Sequence, residues 1–261
     1  MSEKAGAERQ AADGGVRSVQ RAVELLSLFD ETSTVWSVSE LARATKLPKT
    51  TVIRLVATLE RAAMVWVRPD GQVAPGAGLL RWASLSQSAW AMPEAALEVM
   101  GSVAELCRET VNLYVRQGVA RVCVAQHEGP QALRHVIRVG DELPLWAGAA
   151  SKVLLTAAPA EVIDEVASGS PHGPGFADVL RQQVEQARAD GYAVSHGERE
   201  VGASGVAAPV ADSDGRVVAA LALGGPTARF TPEQVARFAA VITASADEVS
   251  DMGLARALVR A

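Results

Sequence analysis

The hydrophobic positions of SVSELARATKLPKTTVIRLVATLER, residues 37–61, recur with a helical period that breaks once, around Leu47 and Pro48. On a wheel of about 100° per residue, Val52, Leu55, Val56 and Leu59 gather on one side of the second segment. Thr50, Arg54, Ala57 and Arg61 lie roughly opposite. The pattern predicts two short helices joined by a tight turn. Ser37 and Glu40 have the S-x-x-E spacing of a capping box, in which each side chain satisfies an orphan backbone donor at the helix start. Leu41 and Ala42 stand where the first helix must bury its face, and Pro48 suits the first position of the second, where no N–H is needed. Upstream, residues 17–29 predict another amphipathic helix, with Val19, Ala22, Val23 and Leu26 inward and Arg17 and Arg21 on the far side.

Two β-prone runs follow, 65–67 and 72–74, around Arg68-Pro69-Asp70-Gly71, and Asp-Gly is a strong hairpin signal. Two helices, a turn and a hairpin make a winged helix-turn-helix, and its outward helix face has the shape a major groove accepts. Lys49, Thr50, Thr51 and Arg54 are the candidates for base edges; Arg17, Arg21 and Arg68 are those for phosphates or the minor groove. Three short amphipathic helices also occur in many domains that bind no DNA, and an outward arginine is commonly just solvated. The wing, the capping box and the upstream arginines tip the balance toward double-stranded DNA.

Farther on, 76–90 predicts a helix carrying Leu79, Leu80, Trp82, Ala83 and Leu85, a linker whose apolar positions suit subunit contact. A helix over 94–109 comes next. The pattern then changes to short strands, VNLYVR, RVCVAQHE and ALRHVIRV, followed by a loop at 140–146 and helices near 149–157, 160–167 and 176–190. Strands return at YAVSHGE, GVAAPVAD and RVVAALAL, and a terminal helix opens at Thr231-Pro232-Glu233. Two blocks of strands with helices between and around them predict an α+β domain. The expected organisation is a disordered tail at 1–15, a winged helix at 16–75, a linker helix at 76–92 and an α+β domain at 93–261.

Length and composition agree with that division. A chain of 261 residues, 49% hydrophobic and 21% charged, suits two soluble domains. No apolar run approaches the ~18 residues that cross a bilayer, so no membrane partner is expected and the cytoplasm is the expected location. The net charge of −5 hides an asymmetry. Residues 1–81 hold 11 Lys and Arg against 9 Asp and Glu, while the remaining 180 hold 14 against 21. The excess is positive only in the half that would meet DNA. Cys107 and Cys123 lack CxxC spacing and a histidine at ligand distance, so buried free thiols are expected rather than zinc or a disulfide.

GDELPLWAGAASKVLLTAAP and GYAVSHGEREVGASGVAAPVADSDGRVVAALALGGPTARFT resemble the two signature stretches of the IclR family of bacterial transcriptional regulators, and 17–74 resembles that family's winged-helix half. The resemblance implies a GAF-like effector-binding domain after the DNA-binding one, and homodimers or dimers of dimers. It places an effector pocket between the sheet and the loop-helix before Lys152, lined by Ala149, Ala150, Gly205, Ala222 and Gly224. Exposed N–H groups at the start of that helix would receive a carboxylate, with Leu145 and Trp146 as an apolar wall. Ser151 and Val153 depart from the family's Gly-Lys-Ala, and Trp146 replaces a common histidine. Ala222 and Gly224 stand where some members place hydroxyls for small oxoacids. Lost hydroxyls and added volume favour a larger, aromatic acid over glyoxylate or pyruvate. Lys46 stands where glycine is frequent, a change that costs little if φ stays negative.

Catalysis is the competing reading, an α+β enzyme with an appended helical protein-interaction domain. His127, His135, His172 and His196 all lie in the second half, and His196 with Glu198 and Glu200 could suggest metal or acid–base work. Strand alternation puts those three on one face, which the family's signature places near the dimer or solvent surface. Gly202-Ala203-Ser204-Gly205 lacks the spacing of a nucleophile elbow, and no phosphate-cradling glycine motif occurs, so neither catalytic residues nor a cofactor nor a metal is expected. The function this supports is a ligand-responsive regulator, a repressor of a catabolic operon that binds a palindromic operator and senses a small, aromatic carboxylate.

Overall fold

The computed structural model describes residues 15–30, 32–134, 137–173 and 175–253, which form two compact units divided between Ser88 and Ala89. The expected tail lies, but for Gly15, outside the described residues, as does His135.

In the first unit, α1 (Arg17–Leu26), α2 (Val38–Thr45) and α3 (Lys49–Arg61) surround a core of Leu25, Leu41, Val52, Val56, Val65 and Val73. The short strand β1 (Trp36–Ser37) pairs with β3 (Gln72–Pro75), which pairs with β2 (Val65–Val67), all antiparallel. The capping box forms: Glu40 N–H donates to Ser37 Oγ at 3.2 Å and Ser37 N–H to Glu40 Oε2 at 2.8 Å. Those bonds hold the Glu40 carboxyl below its ordinary pKa.

Three details differ from expectation. Pro48 is the residue before α3 rather than its first, and its carbonyl accepts from Thr51 and Val52. Val19 and Val23 are exposed, 58% and 55%, while Leu25 is fully enclosed. Because the core lies toward Leu41 and Val52, α1 turns its Leu25, Leu26 and Phe29 side inward instead. Lys46 ends α2 with φ 55° and ψ 26°, left-handed backbone that costs a non-glycine residue roughly 1–2 kcal/mol. The helix α4 (Gly78–Ala89) closes this unit, with no buried side chain among its residues and with Leu80, Trp82 and Leu85 exposed.

The second unit is built on one antiparallel six-stranded sheet in the order β6-β5-β4-β9-β8-β7. The strands are β4 (Thr110–Gln117), β5 (Ala120–His127), β6 (Glu142–Pro144), β7 (Ala193–His196), β8 (Ala203–Ala211) and β9 (Val217–Pro226). Residues around ALRHVIRV form no strand among those described; Glu142–Pro144, in the expected loop, pairs with β5 instead. A turn at Gly140 and Asp141, tied to Cys123 by two backbone bonds, delivers it there.

Alternation sorts the side chains onto two faces. Val111, Leu113, Val115, Val206, Ala208, Leu221 and Leu223 pack against α5 (Glu94–Cys107) and the terminal α9 (Pro232–Asp251). On the opposite face, Tyr114, Cys123, Ala207, Ala220 and Ala222 meet α6 (Ala149–Leu155), α7 (Ala160–Ser168) and α8 (Phe176–Asp190). Small residues on this second face let α6 lie close to the sheet. Cys107 and Cys123 are free and buried, and burial raises their thiols to about 11 and about 12.

Candidate DNA interface and effector cavity

The exposed side of α3 carries Lys49, Thr50, Arg54, Ala57 and Arg61, while Thr51 is half-buried at its edge. Arg17 is exposed on α1 and Arg21 half-buried. Arg68 sits at the wing turn, its N–H bonded to Gln72 O and its guanidinium 3.6 Å from Asp70. Gly71 takes φ 80° there, which the Asp-Gly signal anticipates. Ile53 escaped the sequence reading. It is 49% exposed and stands beside Arg54 on the outward face; an apolar residue interrupting the polar side of the wheel was the available signal.

In the second unit, Gly205 of β8 pairs directly with Gly224 of β9, and Ala222 faces Asn112 across β4. Two adjacent residues without side chains leave a hollow in the sheet's second face. The start of α6 closes it from above with Gly148, Ala149 and Ala150, making a cavity of about 60 Å³ that opens to solvent. All five small residues expected there line it. Leu145 and Trp146 do not: Leu145 is enclosed in the core, and Trp146 lines a separate hollow, edge-on to His172 at 5.3 Å. They alternate along a chain that has just left β6, so neither meets the sheet hollow.

Charged groups occupy the cavity rim. Glu198 reaches back from beyond β7, with Oε1 2.5 Å from Lys152 Nζ and Oε2 accepting from Gly148 N–H at 2.9 Å. His196 and Glu200 are exposed, as expected for a solvent surface, but Glu198 departs from that expectation, because the chain turns after His196 and Gly197 takes φ 63°. His196 itself bonds Ser204 Oγ through Nδ1 at 2.9 Å, and Ser204 meets Thr227 Oγ1 at 2.8 Å. Of the backbone N–H groups around the start of α6, that of Gly148 is thus taken by Glu198 and that of Ser151 by Gly148 O at 3.1 Å.

Arg121 on β5 is the group that sequence reasoning missed. Only 5% exposed, it lies over the Tyr114 ring, with Cζ 5.2 Å from the centroid. Nη1 donates to Ala147 O at 2.6 Å, Pro144 O at 3.3 Å and Ser151 Oγ. Burial lowers the guanidinium's pKa, though it remains charged, and burial raises that of the Tyr114 phenol. Gly148 has φ 99°, and a Cβ there would come within 3.0 Å of both terminal guanidinium nitrogens. The signal for Arg121 was its place in RVCVAQ, a strand apolar on both faces.

Comparison with known proteins bears on both regions. Residues 18–67 match the IclR helix-turn-helix domain, and residues 88–251 match the family described as bacterial transcriptional regulator IclR C-terminal. The transcriptional repressor AllR of Klebsiella pneumoniae is 28% identical over 261 residues, covering 94% of this chain and 93% of its own. The crystal structure of an IclR-family regulator from Rhodococcus sp. is 51% identical, with TM-score 0.64 and coverage of 95% and 97%. An IclR homolog from Microbacterium hydrocarbonoxydans, solved with 4-hydroxybenzoate, is 25% identical, with TM-score 0.70 and coverage of 94% and 100%. These relatives are regulators, which decides against the enzyme reading. No helix among the described residues is long and apolar enough to cross a membrane.

Proposed function

Since this chain belongs to the IclR family of ligand-responsive bacterial transcriptional regulators, we propose that it is a cytoplasmic repressor of a catabolic operon, released from its operator by a small aromatic carboxylate. The observation that carries the reading is the pairing of two features in one chain: an exposed face of α3 with Lys49, Thr50 and Arg54, and a cavity between two glycines of the sheet and the start of α6.

A single winged helix reads only a short site, so the operator is a palindrome read by two copies. Lys49, Thr50, Thr51 and Arg54 meet base edges, with Ile53 beside them as a contact for a thymine methyl; Arg17, Arg21 and Arg68 hold phosphates or the minor groove. The exposed Leu80, Trp82 and Leu85 of α4 supply part of the dimer contact, and two dimers associate into a tetramer.

The effector's carboxyl end enters the cavity floored by Gly205, Ala222 and Gly224 and roofed by Ala149 and Ala150, with its ring toward the opening. The 4-hydroxybenzoate complex of the Microbacterium relative supports an aromatic acid. Regulation requires that the acid bind the DNA-free form more tightly than the DNA-bound one.

The test is titration of the DNA upstream of this protein's own gene with the full chain, in the presence and absence of 4-hydroxybenzoate. The reading expects weakened DNA binding with the acid in the wild type and no response in Gly224→Leu, which retains DNA affinity. A wild-type complex indifferent to the acid would set aside this ligand, and loss of DNA binding by the variant would mean a damaged fold.

A further inference from the structure

The charges around the cavity do not balance. Lys152 is matched by Glu198 at 2.5 Å and Arg199 approaches Glu200 at 3.4 Å. Arg121 has no carboxylate within ion-pair distance among the described residues. Three acceptors, Ala147 O, Pro144 O and Ser151 Oγ, all bond the same nitrogen, Nη1. Nε is buried without any partner. Nη2 likewise makes no hydrogen bond among the described residues. The unused pair, Nε with Nη2, is the side-on fork of arginine, whose two parallel donors match the two oxygens of a carboxylate.

A buried guanidinium with half of its donors unused is costly unless something completes it. Its position is nevertheless held from several sides. Tyr114 lies beneath it, the carbonyls of the chain entering α6 anchor Nη1, and the bare Cα of Gly148 leaves room for the terminal nitrogens. The sheet hollow of Gly205, Ala222 and Gly224 shares its cavity with this group.

We propose that Arg121 is the specificity-determining residue of the effector site, its Nε–Nη2 fork receiving the ligand's carboxylate. The inference rests on the cavity being the effector site. It moves the recognition of charge from backbone amides at the start of α6 to a side chain on β5. It also fixes the ligand class: an anion with two coplanar oxygens, in which the neutral amide of the same shape leaves the guanidinium's charge unmatched.

The test uses the full chain with sodium acetate, benzoate and 4-hydroxybenzoate, and with 4-hydroxybenzamide as the neutral counterpart. Calorimetry is paired with NMR of the Arg121 Nε–Hε resonance, which needs no substitution. At least one carboxylate is expected to bind and shift that resonance. Arg121→Met should weaken binding by about tenfold or more. Arg121→Lys, which keeps the charge and loses the fork, should fall between. The amide should bind more weakly than its acid. A resonance unmoved by all three acids, affinity unchanged in Arg121→Met, or an amide bound as tightly as its acid overturns the proposal. Gly224→Leu separates the two claims. Binding lost in Gly224→Leu but kept in Arg121→Met leaves the cavity standing without its arginine; the reverse result removes the cavity floor from the site and leaves the arginine.

Discussion

Glu198 and Lys152 are joined across 46 positions of sequence, Oε1 to Nζ at 2.5 Å, and the ammonium also donates to Val194 O at 2.9 Å. The lysine side chain is 10% exposed and the glutamate 25%. Together with the Gly148 N–H on Oε2, the pair ties the chain after β7 to both the start and the middle of α6.

Removing one partner strands the other. Fully buried pairs cost about 3–5 kcal/mol when broken this way. With a quarter of the glutamate still in water, Glu198→Gln is expected to cost about 2 kcal/mol. Lys152→Met in the same background should restore part of the loss. Chemical denaturation monitored on the second unit checks both, and a Glu198→Gln protein as stable as wild type would mean that the pair contributes nothing.

Lys46 predicts a gain. Its left-handed backbone costs roughly 1–2 kcal/mol, partly offset because glycine in its place has more unfolded-state freedom to lose, about 0.4–1 kcal/mol. Lys46→Gly should therefore stabilise the winged helix by roughly half a kcal/mol or more. Thermal unfolding of the full chain, followed on the first transition, checks the sign; a lowered midpoint would contradict it.

The local signals were the legible ones. Ser37 and Glu40, and Asp70 and Gly71, are marked by residue type at their own positions, and each stands where that type requires; the small residues Ala149, Ala150, Gly205, Ala222 and Gly224 were reached only through the family resemblance, and they line one cavity. What stayed hidden depends on long-range geometry. Periodicity did not show which side of α1 meets Leu41 and Val52, so Val19 and Val23 were turned inward on the wheel. The strand at Glu142–Pro144 exists because a turn returns it to β5. Arg121 stands out in its strand only as a cation among apolar residues, and its meaning depends on the chain at 144–151 closing over it.

Ile53 predicts a methyl contact. Replacing thymines of the operator with uracil removes one methyl at a time, worth about 0.8 kcal/mol when buried. At one or more positions in each half-site the wild type should lose about that much, and Ile53→Ala should be indifferent to the same change. Equal losses in both proteins would assign the methyl to another residue.

The proposed assembly draws on the exposed face of α4. Trp82 is 54% exposed and Leu80 73%. Trp82→Glu is expected to shift the assembly toward monomer in sedimentation equilibrium and to weaken operator binding in parallel, since two-fold repetition supplies the second half-site. A wild-type monomer at micromolar concentration that retains full operator affinity would contradict the dimeric account.

The central claim, that α3 reads DNA sequence, is tested most directly by comparing the affinities of wild type and Arg54→Ala for the DNA upstream of this protein's own gene and for random duplex. The account predicts a loss of about 1–3 kcal/mol on the upstream site and a much smaller one on random DNA. Arg21→Ala, at a proposed phosphate contact, should weaken both alike and flatten the salt dependence. Equal losses on the two DNAs for Arg54→Ala would contradict the claim.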